Sequence, residues 1–197
     1  MSFTVGRCRV TVGYLFLAMI ALMFALDRTG AAPIGFACAA LHEAAHILAM
    51  KRVGELPQEI KFTAFGIDLV RPCRLNRSYS REVWISLAGP AANLAAALLC
   101  RALFRERYPL FLAVNMLLFG LNILPVRPLD GGQALLSALS SRLNAEKADH
   151  IVLVVSFIVL VPLAAAGLLL LFRSGWNFTL LLAACYLTAL LLMKREH

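Results

Sequence analysis

Two histidines and a glutamate in one short stretch carry the residue types for metal chemistry. His42 and His46 are four residues apart and Glu43 follows the first, which is the His-Glu-x-x-His pattern. On an α-helix, positions i and i+4 lie on one face about one turn apart, so both imidazoles can bind a single metal ion. Glu43 is offset by roughly 100° around that helix, which places its carboxylate beside the metal's open position, where a water would bind. The spacing predicts a catalytic metal site, and a pair of hydrogen-bonded structural histidines is the alternative.

The motif lies inside a hydrophobic run. From Ala31 to Met50 the only residues that can carry a charge are His42, Glu43 and His46. A run of this length can cross a bilayer, and ionisable groups at that depth are costly, so they are interpreted as functional by default. Cys38 lies one turn before His42 on the same face. It could be a soft metal ligand, but a small apolar helix residue is the preferred interpretation.

The composition indicates an integral membrane protein. Hydrophobic residues make up 61% of the 197 positions and the mean hydropathy is +0.79, whereas soluble domains are near ~45–50% apolar. The net charge of +8 is not arranged as a basic stripe with interleaved aromatic residues, so no nucleic-acid partner is expected. The five cysteines are scattered and form no C-x-x-C pair, which argues against a zinc ribbon and a disulfide framework.

The apolar runs predict an all-α polytopic membrane protein, a single membrane-embedded domain over residues 1–197 with six transmembrane helices. The approximate bounds of the spans are 10–26, 31–50, 83–100, 108–126, 151–172 and 176–193. The first run also resembles a signal peptide, but the next begins at Ala31, so we expect a retained helix and a tight hairpin over 27–30. With both termini in the cytosol, fourteen Lys and Arg residues lie inside and five outside, which favours this orientation.

A short β-hairpin is predicted after the second span. Apolar and polar residues alternate over Ile60–Leu69, and Gly66 permits a tight turn between the two halves. The hairpin could cap the membrane surface, or its edge could pair with an extended substrate. In the second case the substrate-binding residues are Phe62, Thr63, Ala64 and Phe65.

A broken, re-entrant segment is predicted after the fourth span, over 122–132. Pro125 and Pro128 interrupt the helix, and two glycines after Asp130 allow unusual backbone angles. Taken alone, the segment is interpreted as an ordinary interfacial loop. Two histidines are one ligand short of a catalytic zinc site, however, and Asp130 is the best candidate for the third.

Asn93 lies in the third span and needs a hydrogen-bond partner at that depth. The preferred interpretation is a structural contact between helices.

Three motifs follow one another across about 90 residues. They are His42-Glu43-x-x-His46, Gly89-Pro90-x-x-Asn93 and Asn122-x-x-Pro125-x-x-Pro128-Leu129-Asp130-Gly131-Gly132. In this order the set resembles the site-2 protease family of intramembrane zinc metalloproteases, peptidase family M50. The resemblance implies one Zn²⁺ per chain, with His42, His46 and Asp130 as its ligands. It also implies that Glu43 is the general base and that Asn122 contacts the substrate backbone or the developing oxyanion.

The six-span plan resembles the short branch of that family, typified by a sporulation protease that processes a sigma-factor precursor, although these 197 residues contain neither a CBS nor a PDZ domain. The implied function is hydrolysis of a peptide bond in or near a transmembrane segment of a membrane-bound protein, such as a sigma-factor or anti-sigma-factor regulator. The implied location is the bacterial cytoplasmic membrane with active-site access from the cytosol, and an inhibitory membrane partner is possible. The alternatives are a catalytically silent membrane scaffold of the same fold and a metal transporter.

Overall fold

A computed structural model describes residues 1–5, 8–63, 66–70, 78–105, 107–174 and 178–193. The elements in chain order are β1 (Ser2–Val5), β2 (Cys8–Val12), α1 (Tyr14–Leu26), α2 (Ala31–Arg52), β3 (Glu59–Thr63), β4 (Gly66–Val70), α3 (Tyr79–Phe104), α4 (Pro109–Asn122), α5 (Asp130–Ser140), α6 (Ala145–Ser174) and α7 (Thr179–Met193). The chain forms two compact units, Met1–Arg77 with Ala88–Phe119, and Ser78–Leu87 with Gly120–His197.

The first unit contains a four-stranded sheet in the order β1-β2-β3-β4. β1 and β2 are antiparallel, β2 and β3 are parallel, and β3 and β4 are antiparallel. The hairpin predicted over Ile60–Leu69 is confirmed as β3 and β4. Gly66 pairs with Thr63 as the first residue of β4, directly after the connection between the two strands. Ala64 and Phe65 lie outside the described residues.

The N-terminal strands β1 and β2 correct the fold prediction, in which the hairpin after the second span was the β-structure of the chain. β2 takes the first residues of the predicted span, so that α1 begins at Tyr14 rather than at Val10. Apolar and polar side chains alternate along Cys8–Val12, as expected for a strand. The four residues Arg9–Val12 pair with Glu59–Phe62 of β3. The hydrogen bonds of this ladder provide partners for backbone N–H and C=O groups that would otherwise have to be paired within a helix.

The predicted hairpin over residues 27–30 is confirmed, and Asp27 organises it. Asp27 Oδ1 accepts hydrogen bonds from the backbone N–H and the hydroxyl of Thr29, both at 2.9 Å, and Oδ2 accepts from the Ala32 N–H at 3.0 Å. The backbone hydrogen bonds from Thr29 and Ala32 lower the pKa of Asp27 from 3.8 to about 2. Gly30 precedes α2 with a φ of 74°, a left-handed conformation that glycine adopts without strain.

Three of the described helices, α2, α3 and α6, are long and apolar enough to cross a membrane. The other apolar helices are shorter, with 13 residues in α1, 14 in α4 and 15 in α7. Every predicted span therefore contains a helix, in keeping with an integral membrane protein, while the count of six spans stays a prediction. α4 ends at Asn122, four residues before the predicted end of its span, and is followed by turns and bends over residues 123–129. α5 is a helix that the sequence reasoning did not predict.

The second unit packs α6 against α7. Gly167 of α6 lies so close to the backbone of Leu181 that a Cβ at this position would overlap it. The core of the unit is a buried cluster of four residues, Val126, Leu160, Leu187 and Leu191. Val126 comes from the segment just before Asp130, so the core of this unit fixes the segment that carries the acid.

Candidate metal centre

The two histidines of the motif face the same point. The buried side chains on the second half of α2 are spaced by four residues, which places them on one face: Cys38, His42, His46 and Met50. The Nε2 atoms of His42 and His46 are 3.2 Å apart, and the rings meet edge to face with centroids at 4.8 Å. Two nitrogens bound to one tetrahedral zinc at ~2.0–2.1 Å would be roughly 3.3 Å apart. The pair therefore has the spacing of two ligands of one metal ion.

His42 is oriented by an amide from α3. Its Nδ1 lies 2.6 Å from Oδ1 of Asn93, whose side chain is fully buried. An amide oxygen only accepts, so Nδ1–H of His42 donates and Nε2 is left with its lone pair for a metal. The interhelical contact preferred for Asn93 is present, and its partner is the first predicted ligand.

Gly89 keeps the space beside the imidazoles open. A Cβ built on Gly89 would overlap the Nε2 atoms of both His42 and His46. The backbone of α3 therefore passes directly against the two nitrogen atoms that would bind a metal. The sequence reasoning treated the small residues around Gly89 as a helix-packing feature and did not assign it a place at the site. The donor atoms and the cleared space fit a metal of the zinc type.

Asn115 is the residue of this site that the sequence reasoning missed. It is fully buried on α4. Its Oδ1 accepts from Asn93 Nδ2 at 2.8 Å, and its Nδ2 donates to the Cys38 thiol at 3.0 Å. The Cys38 thiol is thus engaged by an amide, in keeping with a helix residue rather than a metal ligand. The signal in the sequence was an amide in the middle of an uncharged run, which has to find a hydrogen-bond partner at membrane depth.

Asp130 lies in the second unit, at the start of a helix rather than in irregular backbone. It is the first residue of α5, in the turn where the helix dipole favours a carboxylate. The following glycines, Gly131 and Gly132, are needed for packing and not for unusual backbone angles. A Cβ on Gly131 would overlap the carbonyl of Ile123, and one on Gly132 would overlap that of Val126. The described glycines with positive φ are Gly30 and Gly54, and lie elsewhere.

Arg127 fixes the segment before Asp130 with its backbone and its side chain. Its N–H donates to the hydroxyl of Ser156 at 2.9 Å, and its carbonyl accepts from Gln133 Nε2 at 2.7 Å. Its guanidinium forms an ion pair with the carboxylate of Asp149 at 2.8 Å, and both side chains are partly exposed. These contacts, together with the burial of Val126, give the acid a defined position within its unit.

The remaining predicted residues occupy different places. Glu43 is half-buried on α2, next to His42, and Asn122 is the half-buried last residue of α4. Phe62 and Thr63 lie on β3, which is paired with β2 on one side and β4 on the other. The backbone of β3 is paired on both sides over Glu59–Phe62, and substrate binding by Phe62 and Thr63 stays a prediction. The ring of Phe62 packs against Phe16 of α1, with centroids 5.2 Å apart.

Paired buried imidazoles on an apolar helix, with a glycine of a second helix against their Nε2 atoms, are the arrangement expected of a membrane protein that binds a metal ion. The fold is similar to that of a site-2 protease from Methanocaldococcus jannaschii, with a TM-score of 0.59 and 19% sequence identity over 95% of this chain and 92% of that chain. No protein-family model and no curated protein matches the sequence. The chain thus has the fold of a site-2 protease, which confirms at the level of the fold the resemblance seen in the three motifs.

Proposed function

We propose that the chain is an intramembrane zinc metalloendopeptidase of the site-2 protease type. The observation that carries the proposal is the buried pair of Nε2 atoms of His42 and His46, 3.2 Å apart, with Gly89 keeping the adjacent space clear. The site-2 protease fold supports it independently of the motif. In this proposal one Zn²⁺ per chain is held by His42, His46 and Asp130, two neutral imidazoles and a carboxylate, which is a common ligand set for catalytic zinc.

Each residue of the proposed site has a separate role. His42, His46 and Asp130 would hold the zinc ion, which would supply Lewis acidity to the scissile carbonyl and to the attacking water near neutral pH. Glu43, adjacent to His42 on α2, accepts the proton of the attacking water and delivers it to the leaving amine. Asn122 donates a hydrogen bond to the developing oxyanion, a contribution of roughly 3 kcal/mol in comparable sites.

The proposed substrate is a transmembrane segment of a membrane-bound protein, with regulators of the sigma-factor or anti-sigma-factor type as the candidate class. A helix in lipid hides its carbonyl groups in its own hydrogen bonds, so the segment must unwind before it can be cut. β4 is an edge strand of the described sheet, and its open side can pair with the unwound segment. The proposed location is the bacterial cytoplasmic membrane, with the termini and the active-site entrance on the cytosolic side.

The first test measures zinc per chain and cleavage of a model membrane substrate in the same preparations. In detergent-purified protein we expect about one zinc per chain, retained in Glu43→Gln and reduced in His46→Ala and Asp130→Ala. Glu43→Gln should lose cleavage by at least about 100-fold, the lower end of what a general base contributes. The Glu43→Gln variant is the matched control for the ligand variants, because it changes the charge of the motif without removing a ligand.

Four outcomes would contradict the proposal in different ways. A wild-type protein purified without chelators that contains no zinc would favour the silent scaffold. Zinc that is unaffected by Asp130→Ala would show that another residue is the third ligand. Full cleavage by Glu43→Gln would remove the assigned base, and uptake of radioactive zinc into vesicles without any cleavage would favour the transporter.

A further inference from the structure

A chain of buried hydrogen bonds runs from α4 through α3 to the first histidine of α2. Asn115 Oδ1 accepts from Asn93 Nδ2 at 2.8 Å, and Asn93 Oδ1 meets His42 Nδ1 at 2.6 Å. We infer that Asn115 and Asn93 form a relay that fixes which nitrogen of His42 carries the proton, so that Nε2 is always the one presented to a metal. The inference rests on the proposed zinc site and names the positioning residues behind one of its ligands.

The direction of the relay is set at its far end by a backbone carbonyl. Asn115 Nδ2 lies 2.9 Å from the carbonyl oxygen of Phe111, one turn earlier on α4. A carbonyl oxygen can only accept, so the amide nitrogen of Asn115 has to face it. The oxygen of Asn115 is then the atom that faces Asn93.

A second backbone carbonyl sets the direction of the next amide. Asn93 Nδ2 lies 3.2 Å from the carbonyl oxygen of Cys38 and 2.8 Å from Asn115 Oδ1, two atoms that only accept here. Both hydrogens of Asn93 Nδ2 are therefore used, and Oδ1 has to face His42. Because Oδ1 only accepts, His42 must donate through Nδ1–H, and its Nε2 carries no proton in the neutral ring.

The relay is fully satisfied, which makes the alternative arrangement costly. The second hydrogen of Asn115 Nδ2 is directed at the Cys38 thiol at 3.0 Å, so all four amide hydrogens of the two asparagines have an acceptor. Both asparagines are 0% exposed, so solvent does not compensate for a flipped amide. Turning either amide around would place oxygen against oxygen at a backbone carbonyl.

The test measures zinc affinity by competition with a chromophoric chelator, and the tautomer of His42 by nitrogen-15 NMR of the metal-free protein. We expect wild-type His42 to carry its proton on Nδ1. Asn93→Leu should lower zinc affinity by about 10–100-fold, the usual loss for the partner of a metal-binding histidine. Asn115→Leu should cause a smaller loss, because the Cys38 carbonyl still holds Asn93. Both variants should increase the fraction of His42 that carries its proton on Nε2.

A double variant separates positioning from general stability. If Asn115 acts through Asn93, adding Asn115→Leu to Asn93→Leu should cause no further loss of zinc affinity, whereas independent structural effects would add. Thr188→Val is the control, since it removes a part-buried hydroxyl that donates to a carbonyl within α7 and should leave affinity and tautomer unchanged. Should the leucine variants fail to fold, Asn115→Asp takes their place. It puts a carboxylate oxygen, instead of an amide N–H, against the carbonyl of Phe111 without a change in side-chain size.

The inference is overturned if the single variants keep both wild-type zinc affinity and a His42 protonated on Nδ1, or if the two losses are additive. Failure of the proposed function would be recognised separately. A wild-type protein without zinc affinity but with His42 protonated on Nδ1, and with that tautomer lost in Asn93→Leu, would retain the relay and reject the metalloprotease.

Discussion

At the scale of single residues, an absent side chain is as important to the site as the ligands themselves. His42 and His46 can share an ion only if the space next to their Nε2 atoms stays empty, and Gly89 provides that space. We expect Gly89→Ala to lower zinc affinity by at least about 10-fold, because the methyl group would push the imidazoles apart. The measurement is the same chelator competition in detergent.

A second glycine on the motif helix gives the matched control for this change. Gly35 of α2 has open space around the position of its Cβ, so Gly35→Ala should keep zinc affinity and stabilise the helix by about 0.5–1 kcal/mol. Equal zinc affinity in wild type and Gly89→Ala would mean that the ion does not lie between the two imidazoles and Gly89.

What the sequence reveals of this site depends on distance along the chain. The spacing of His42 and His46 is a local property of one helix turn, so it could be interpreted without a structure. Asn115 contacts Cys38 across 77 positions and Asn93 across 22, and no local pattern marks such pairs. The same holds for Gly89, whose need for a missing side chain arises only from the approach of two helices.

At the scale of elements, the start of the motif helix depends on one carboxylate. Asp27 accepts the hydrogen bonds of Thr29 and Ala32 as a carboxylate, and its pKa is lowered from 3.8 to about 2. A lowered pKa means that the contribution to stability is present above pH 3.8 and is lost as the pH falls through about 2. Asp27→Asn should therefore unfold at a lower temperature than wild type near neutral pH, and the difference should disappear as the pH approaches 2.

The measurement is thermal unfolding in detergent across that pH range. Arg28→Gln is the control, because it changes an exposed charge in the same turn without removing a bond to α2. A difference between wild type and Asp27→Asn that stays constant down to pH 2 would show that the charge of Asp27 does not stabilise the helix start.

The elements that the sequence did not reveal are the N-terminal strands and α5. The helices follow from long apolar runs, and the β3–β4 hairpin follows from local alternation. β2 also alternates, but its residues Val10–Val12 continue directly into the apolar run of α1, and its parallel partner is β3, beyond two helices. α5 was missed for another reason: its glycines were interpreted as turn residues, whereas they lie in the helix because Ile123 and Val126 pack against them.

At the scale of the whole molecule, the open question is how many helices cross the bilayer. A hydrocarbon core of ~30 Å needs about 20 helical residues, and α2 with 22 residues meets this length. α1 with 13 residues is about 20 Å long and would need its flanking residues, a tilt or a thinner bilayer to cross. Six crossings require α1, α4 and α7 to span despite their length, and the distribution of Lys and Arg favours that arrangement.

Labelling of single cysteines from each side of the membrane decides the count. Six spans predict that Arg28→Cys and Arg105→Cys react with an impermeant thiol reagent from the outside of intact cells, whereas Leu56→Cys and Ser141→Cys react only in inverted vesicles. Cys38 and Cys100 are buried and can stay, while Cys8, Cys73 and Cys185 are replaced by alanine. Because α1 and α2 are joined by residues 27–30, reaction of positions 28 and 56 from the same side would mean that α2 does not cross. Its histidines would then lie at the membrane surface, and the proposed cleavage within the bilayer would lose its basis.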